Sequence, residues 1–551
     1  MAAPAARPPG RTWKDRTPTV EALTRLVAQA TARLGALVAA EGPVDPAALE
    51  RHQGAAHALA WVATYRAALE ELDRWAREQA AADRLGAAEA LICEIGFAEY
   101  VQQVLHGIPL SQSEIARPGD WHADPELCAA LDLAQDAHGT DLPAARRALA
   151  DLLAAEGPPP AGPPGGEEAL IREQFRRFAA AEVAPQAGDW HAADSLIPDP
   201  LIAALAELGV FGLTLPEAHG GAGLGKTAMC IVSEELSRAS LAVGSLATRS
   251  EIAAELILAS GTEDQKARFL PGIAAAEIIP TAVFTEPEAG SDLAAVRTRA
   301  RRDGPVYRID GAKTWATHAG RADLMTVLVR TGPTEAGHRG LSILLAEKPR
   351  GSAADPFPVD GLSGGEIPTL GYRGMKEYSL AFDGFPVPAA SLLGGVEGEG
   401  FRQLMATFET ARIQTAARAV GVAQAALDEG LAYACDRRQF GKPLVAFARI
   451  ADKLAMMAVE TGVARLLTLA AARAKESRRR ADIEAGMAKL LAARVAWANA
   501  DSTVQIHGGT GYAEETRAAR LLVDARILSV FEGTAEIQAG IIARGLIGRR
   551  N

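Results

Sequence analysis

Glu532 stands in Phe531-Glu532-Gly533-Thr534-Ala535-Glu536-Ile537-Gln538, between the apolar pair Val530-Phe531 and a helical run. A carboxylate held against apolar walls is raised in pKa and becomes a base near neutral pH. The plain alternative is an acidic residue favoured by a helix dipole. A second segment, Phe284-Thr285-Glu286-Pro287-Glu288-Ala289-Gly290-Ser291-Asp292, offers hydroxyls and backbone amides, with Gly290 permitting close approach. Such a loop can grip the polar edge of a flat heterocycle, or can be only a capped turn. Gly311-Ala312-Lys313-Thr314-Trp315-Ala316-Thr317 places an aromatic beside Asp310-Gly311, a hairpin signal; such an aromatic is otherwise core. In Asp436-Arg437-Arg438-Gln439-Phe440-Gly441 the Arg437 guanidinium suits a diphosphate, or is a solvated surface charge. Gln505-Ile506-His507-Gly508-Gly509-Thr510-Gly511-Tyr512 ends another helical run.

One pattern is a decoy. Gly220-Gly221-Ala222-Gly223-Leu224-Gly225-Lys226-Thr227 matches the phosphate-loop spelling, which requires a buried parallel strand before the glycines. Here Thr214-Leu215-Pro216-Glu217-Ala218-His219 precedes them, polar and broken by proline. A glycine-rich turn is the expectation.

The elements that must carry these residues fall into blocks. Residues 18–39, 46–82 and 87–105 have helical spacing, separated by breakers such as Pro43 and Gly86, with Thr17-Pro18 suited to a cap and first turn. They form a helical extension over 1–156. Residues 157–166, Gly-Pro-Pro-Pro-Ala-Gly-Pro-Pro-Gly-Gly, read as a linker that belongs to no helix or sheet interior. Helical spacing resumes over 171–184, 199–208, 227–239 and 251–259, giving an α domain over 167–277. Short runs at 306–309, 325–329 and 341–345 make 278–390 β-rich. Runs at 401–437, 447–477, 482–506 and 534–547 then predict an antiparallel helical bundle over 391–551.

At 551 residues the chain is too long for one compact core, and 48% hydrophobic with 23% charged residues is an ordinary globular balance. A net charge of −11 disfavours nucleic-acid binding. Cys93, Cys128, Cys230 and Cys435 are scattered, which fits a reducing, cytoplasmic setting without disulfides. No uncharged stretch is long enough to span a membrane, and residues 1–10 read as an Ala/Pro-rich tail. His52 and His57, at i and i+5, do not share a helix face, so no metal site is expected.

Taken together and in this order, the five motifs from Glu167 onward resemble the acyl-CoA dehydrogenase family. The resemblance implies a fold that is mainly α with a central β domain: α domain, β-barrel-like domain and C-terminal four-helix bundle, here with an added N-terminal extension. It implies FAD as cofactor and an acyl-CoA substrate. Phe284, Thr285, Ser291, Trp315, Thr317, Thr534 and Glu536 would line the flavin. Arg437, Gln439, Phe440, Gln505, Gly508 and Gly509 would cradle the FAD of a neighbouring subunit in a homodimer or dimer of dimers. Glu532 would take the α-proton of the thioester while flavin accepts the β-hydride, with the thioester oxygen on backbone N–H. Ser291, Gly533, Glu409 and Arg412 would face the substrate, although an i, i+3 salt bridge is the simpler reading of the last two, and the two readings are compatible. The alternative base position of the family falls on Ala411, which cannot serve. An electron-transfer flavoprotein would take the electrons. An oxidase or monooxygenase on the same fold, and a non-catalytic assembly factor, are the competing readings.

The extension resembles that of a subgroup that converts methylsuccinyl-CoA to mesaconyl-CoA in the ethylmalonyl-CoA pathway. A substrate with a free carboxylate needs a cation at the far end of its pocket. Arg249, in Ser245-Leu246-Ala247-Thr248-Arg249-Ser250-Glu251, is the candidate, with a salt bridge to Glu251 or Glu255 as its rival.

Overall fold

The computed structural model describes residues 13–39, 42–159, 166–477 and 480–548; the expected N-terminal tail and linker residues 160–165 lie outside them. The extension folds as α1 (Thr17–Val38), α2 (Pro46–Arg51), α3 (Gln53–Ala81), α4 (Ala87–His106), a two-stranded hairpin β1 (Ile108–Pro109) and β2 (Ile115–Ala116), α5 (Pro125–Asp136) and α6 (Leu142–Glu156). Side-chain caps start several of these helices: Asp45, Asp124 and Asp141 accept backbone N–H groups of α2, α5 and α6. Thr17 is not a cap. It is the first residue of α1, and its N–H donates to the Asp15 carboxylate at 2.9 Å. The single run expected over 46–82 is broken at His52, which separates α2 from α3.

The next block holds α7 (Gly166–Phe178), α8 (Ala187–Ala192), α9 (Asp199–Glu207), α10 (Lys226–Ala239), α11 (Leu241–Ser260) and α12 (Glu263–Ala274). Helix α11 starts ten residues before the expected 251, because Ser240 caps it and its whole first half is buried. The glycine-rich segment is indeed a turn: the amides of Ala222, Gly223 and Leu224 donate to carbonyls of Gly212, Leu215 and Leu213. Lys226 is committed to Glu251 and Glu255, and the Thr227 N–H to Glu476 at 2.9 Å, so no phosphate cradle is left.

The middle block is one curled seven-stranded sheet of β3 (Pro280–Val283), β4 (Arg299–Asp303), β5 (Val306–Lys313), β6 (Leu324–Arg330), β7 (Leu341–Glu347), β8 (Leu362–Ile367) and β9 (Glu377–Pro388). Its order is β3-β6-β4-β5-β9-β8, with β7 antiparallel to β6. Strand β9 alternates buried and exposed residues, as a strand with one face on the core must. Asp310-Gly311 is not a hairpin turn. It lies inside β5, where the register against β9 shifts and Gly311 takes φ 145°, a bulge. The β4–β5 turn is at Gly304-Pro305.

Last come α13 (Gly400–Asp436), the small hairpin β10 (Arg438–Gln439) and β11 (Lys442–Pro443), α14 (Ala448–Ser477), α15 (Asp482–His507), α16 (Arg517–Ile527) and α17 (Ala535–Gly548). Helix α14 is long and apolar enough to cross a membrane, yet 89% of its most apolar window is buried here against other helices. Much of that cover is the extension. α3 and α4 pack on α14, and α1 and α3 pack on α17. Gly96 of α4 and Gly462 of α14 let these two helices close to contact: a Cβ at Gly96 would lie 3.4 Å from Val459, and one at Gly462 would lie 3.3 Å from Ile92. Phe97 and Leu69 therefore belong to the same continuous core as Val459, Leu466 and Ile542. The extension is separate in sequence and joined in space.

Candidate active site

Glu532 sits in the turn between α16 and α17, with φ 53°, followed by Gly533 at φ 90°. The left-handed region is costly for a residue with a Cβ and persists only where surroundings enforce it. The enforcement is visible. The carbonyl oxygen of Gly533 accepts from Lys489 Nζ of α15 at 2.5 Å and from Gln538 Nε2 of α17 at 3.1 Å, and Gln538 also reaches the Glu532 carbonyl at 3.2 Å. Lys489 is buried, and burial pushes its ammonium down to about 7. Trp315, His318, Tyr372 and Lys376 also have positive φ, and together with Glu532 they make half of such non-glycine residues among those described.

The Glu532 carboxylate is not held against apolar walls. Its side chain is only 12% exposed, but its partners are polar: Arg249 Nη2 of α11 donates to Oε1 at 2.5 Å, Arg418 Nη2 of α13 donates to the same oxygen at 3.0 Å, and the Thr415 hydroxyl donates to Oε2 at 2.5 Å. Burial pushes the carboxyl up, yet Arg418 and then Arg249 outweigh it and leave the group below the ordinary carboxylate range. The raised pKa expected from the sequence is thus corrected: two guanidinium groups override desolvation. Arg418 is fully buried, donates also to Ser245 Oγ at 2.8 Å and lies 4.9 Å over the Phe531 ring. Phe531 in turn meets Tyr372 edge-on at 5.7 Å.

Arg249 does not pair with Glu251 or Glu255, since Lys226 takes both. It points instead into the site, and its Nε–H has no partner. Glu409 and Arg412 form no i, i+3 pair either. Glu409 accepts from Lys475 Nζ at 2.9 Å and from the Ala481 N–H at 3.0 Å. Arg412 is buried with an unpartnered Nε and lies 5.9 Å from the Phe408 ring, which packs edge-on against Phe284 at 6.2 Å.

The loop 284–292 is fixed by a buried ion pair. Glu286 accepts from Lys313 Nζ at 3.0 Å and from the N–H groups of Arg297 and Thr298 at 2.8 Å, while Lys313 also donates to the Phe284 carbonyl. The Thr314 N–H donates to the Thr285 carbonyl at 2.9 Å, tying this loop to Trp315 and Thr317. Thr285 is half-buried and Ser291 exposed. Trp315 is 53% exposed, not core. The Thr317 hydroxyl is buried and donates to Glu377 Oε1 at 2.9 Å. Burial pushes Glu377 up to about 7, and its Oε2 has no partner. His318, also buried, is pushed down to about 3 and so is neutral.

A second, exposed patch unites the ends of α13 and α15, where the rings of Tyr433 and His507 stack at 4.0 Å. It carries Arg437, Gln439, Gln505, Gly508 and Gly509, with Phe440 93% and Tyr512 83% exposed. Arg437 has no side-chain partner among the described residues. Thr534 caps α17 through the Ile537 N–H, and Glu536 is exposed in its first turn, in electrostatic reach of Lys489 and of His57 in the extension.

Sequence reasoning missed Thr415, Arg418, Lys489, Gln538, Tyr372 and Glu377. Arg418 and Lys489 did leave a signal, as cations inside the Ala/Val/Leu-rich stretches of α13 and α15. With a nearly buried carboxylate and aromatic faces beside it, the arrangement can remove a proton from carbon next to a bound flat cofactor.

Three family models match: the N-terminal domain of acyl-CoA dehydrogenase over residues 166–277, the middle domain over 281–385 and the C-terminal domain over 398–547. The chain is 54% identical to the (2S)-methylsuccinyl-CoA dehydrogenase of Cereibacter sphaeroides over 97% of each chain. It is similar to a glutaryl-coenzyme A dehydrogenase in complex with glutaryl-CoA, with TM-score 0.67 and 33% identity over 70% of this chain and 96% of that one. It is also similar to a glutaryl-CoA dehydrogenase from Mycobacterium smegmatis in complex with FADH2, with TM-score 0.64 and 28% identity over 70% and 95%.

Proposed function

This chain belongs to the acyl-CoA dehydrogenase family, and we propose that it oxidises (2S)-methylsuccinyl-CoA to mesaconyl-CoA in the ethylmalonyl-CoA pathway, with Glu532 as the base. The observation that carries the reading is the Glu532 turn: a buried, ionised carboxylate, placed by a strained backbone and pinned through Lys489 and Gln538. A second buried cation beside it suits an acyl group that ends in a carboxylate.

The family is FAD-dependent, and the residues here fit that cofactor. Trp315, Phe440 and Tyr512 expose aromatic faces that an isolated fold would bury, and Arg437 is free to meet a diphosphate. When bound, FAD supplies the acceptor for the β-hydrogen and its electron pair. Trp315 and Thr317 would hold its ring, and Arg437, Gln439, Phe440 and Gln505 to Gly509 would reach the FAD of a second subunit in a homodimer or dimer of dimers. Glu532 holds the α-proton once the C–H bond breaks, and the backbone N–H at this turn meets the thioester oxygen. Arg412 faces the CoA arm. An electron-transfer flavoprotein is the acceptor in turn, and the cytoplasm is the compartment.

The test is Glu532→Gln, mixed anaerobically with methylsuccinyl-CoA. FAD should remain bound, and bleaching of the flavin should slow by at least ~100-fold, because the amide keeps the shape and loses the proton acceptor. Bleaching at nearly the normal rate would refute the assignment.

A further inference from the structure

Resting on that reading, we propose that Arg249 is a clamp on Glu532 that the substrate itself releases: the free carboxylate of a dicarboxylic acyl group draws the guanidinium off the base, so the base is liberated only when the right acyl chain is in place.

The first ground is redundancy. Arg249 Nη2 and Arg418 Nη2 both bond Glu532 Oε1, at 2.5 and 3.0 Å, while Thr415 holds Oε2. Arg418 is also fastened to Ser245 and Thr415, at 2.8 Å each. If Arg249 leaves, Glu532 keeps its position. Among the described residues Arg249 has no such second fastening: Glu532 is its ion-pair partner, and its Nε–H is unused.

The second ground is charge. Arg249 from α11 and Arg418 and Arg412 from α13 surround Glu532, with Lys489 from α15 on its turn. Tyr372 and Glu377 are also in electrostatic reach of Arg249, the latter pushed up to about 7 by burial and so carrying only part of a charge at neutral pH. His318 nearby is neutral. Glu251 and Glu255 share Lys226, with Lys475 4.0 Å from Glu255, and Glu536 is exposed on α17. The buried site thus has more cationic than anionic charge, and a second carboxylate would complete it. An Arg fork with a free Nε–H edge is the geometry that takes a carboxylate in two bonds.

The consequence links specificity to rate. Under the clamp, Glu532 is a weak base. When a substrate carboxylate takes Arg249, one of its two cations is withdrawn while its burial remains, so its affinity for a proton rises. A neutral acyl chain leaves the clamp closed. The exchange is one of ion pairs, with no covalent bond made or broken.

The experiment uses the FAD-loaded enzyme and follows anaerobic flavin bleaching against pH with saturating methylsuccinyl-CoA and with butyryl-CoA. Glu532 must be ionised to act, so a stronger base moves the acid limb of the profile to higher pH. In the wild type the limb for methylsuccinyl-CoA should lie about 1 to 3 pH units above that for butyryl-CoA, the usual effect of one close opposite charge. In Arg249→Gln the two limbs should coincide, and Arg249→Lys should restore a separation. Equilibrium binding gives a readout without turnover: Glu532→Gln, whose Arg249 is unclamped, should bind mesaconyl-CoA at least ~10-fold more tightly than the wild type and crotonyl-CoA unchanged. Coincident limbs in the wild type, or limbs still apart in Arg249→Gln, would overturn the clamp. If instead butyryl-CoA bleaches the wild type faster than methylsuccinyl-CoA, the substrate reading itself falls. The wild-type comparison decides even if a variant does not fold.

Discussion

Replacing Glu377 by Gln should stabilise the protein above neutral pH and change it little in acid. Glu377 opens β9, is buried, and accepts one hydrogen bond, from Thr317 at 2.9 Å, with its other oxygen unpartnered. Burial raises its carboxyl from 4.5 to about 7, against the smaller opposing pull of Thr317 and Arg249. The folded state therefore holds this proton more tightly than the unfolded chain. Below the unfolded value both states are protonated and nothing is lost. Between the two values the unfolded chain ionises first, so stability falls as pH rises, and above about 7 the full penalty is present. At ~1.4 kcal/mol per pH unit, the penalty is about 1 kcal/mol at pH 5 and about 3 kcal/mol at pH 8. Glutamine keeps the acceptor for Thr317 and cannot ionise, so it removes the penalty. Urea unfolding of wild type and variant, freed of ligand, at pH 5 and pH 8 measures this. The gap should widen by about 2 kcal/mol in favour of the variant. A constant gap, or a variant less stable at pH 8, would show that Glu377 is solvated or paired and that the reasoning is wrong.

Arg437→Ala should lower FAD occupancy after purification, because a diphosphate then loses a charge-assisted contact, and a stable FAD-bound monomer by light scattering would count against a shared site. Gly533→Ala forces a Cβ into a residue at φ 90° and to 2.4 Å from Gln538 Nε2. It should cost about 1 kcal/mol or more in thermal unfolding and slow flavin bleaching, without abolishing FAD binding. Trp61→Ala empties a fully buried site in the core shared by the extension and the bundle. It should destabilise by about 3 to 5 kcal/mol and lower the melting temperature of the C-terminal bundle as well as of the extension, followed by hydrogen exchange in α14.

What the sequence made legible was what is local. Helical spacing and breakers located most helices, and the five motifs marked the segments that now border the two polar sites. What failed was set by tertiary partners. Asp310-Gly311 reads as a hairpin from two residues, but β9 pairs on both sides of it, so the same dipeptide becomes a bulge. Glu409 and Arg412 are one turn apart, yet Lys475 from another helix wins the carboxylate. Arg249 had nearby acids in Glu251 and Glu255, but Lys226 pairs with both and Arg249 turns to Glu532, 283 residues away. Glu532 was located as the candidate base, while its electrostatic setting was not, because that depends on Arg418, an unremarked cation in the middle of α13.

The union of extension and bundle also orders how the protein comes into being. Helix α17, which begins just past the Glu532 turn, is made long after α1 and α3, against which it lies. A Cβ placed on Gly35 of α1 would lie 3.7 Å from the Ile547 side chain of α17, 512 residues further along the chain. The groove that receives α17 thus has one wall made long before α17 itself, and the loop to be closed is very long. Contacts of such sequence separation are late events in folding. The Glu532 turn should therefore set late in folding, and a protein clipped before α17 would hold most of its sheet and helices without the packing that fixes the base.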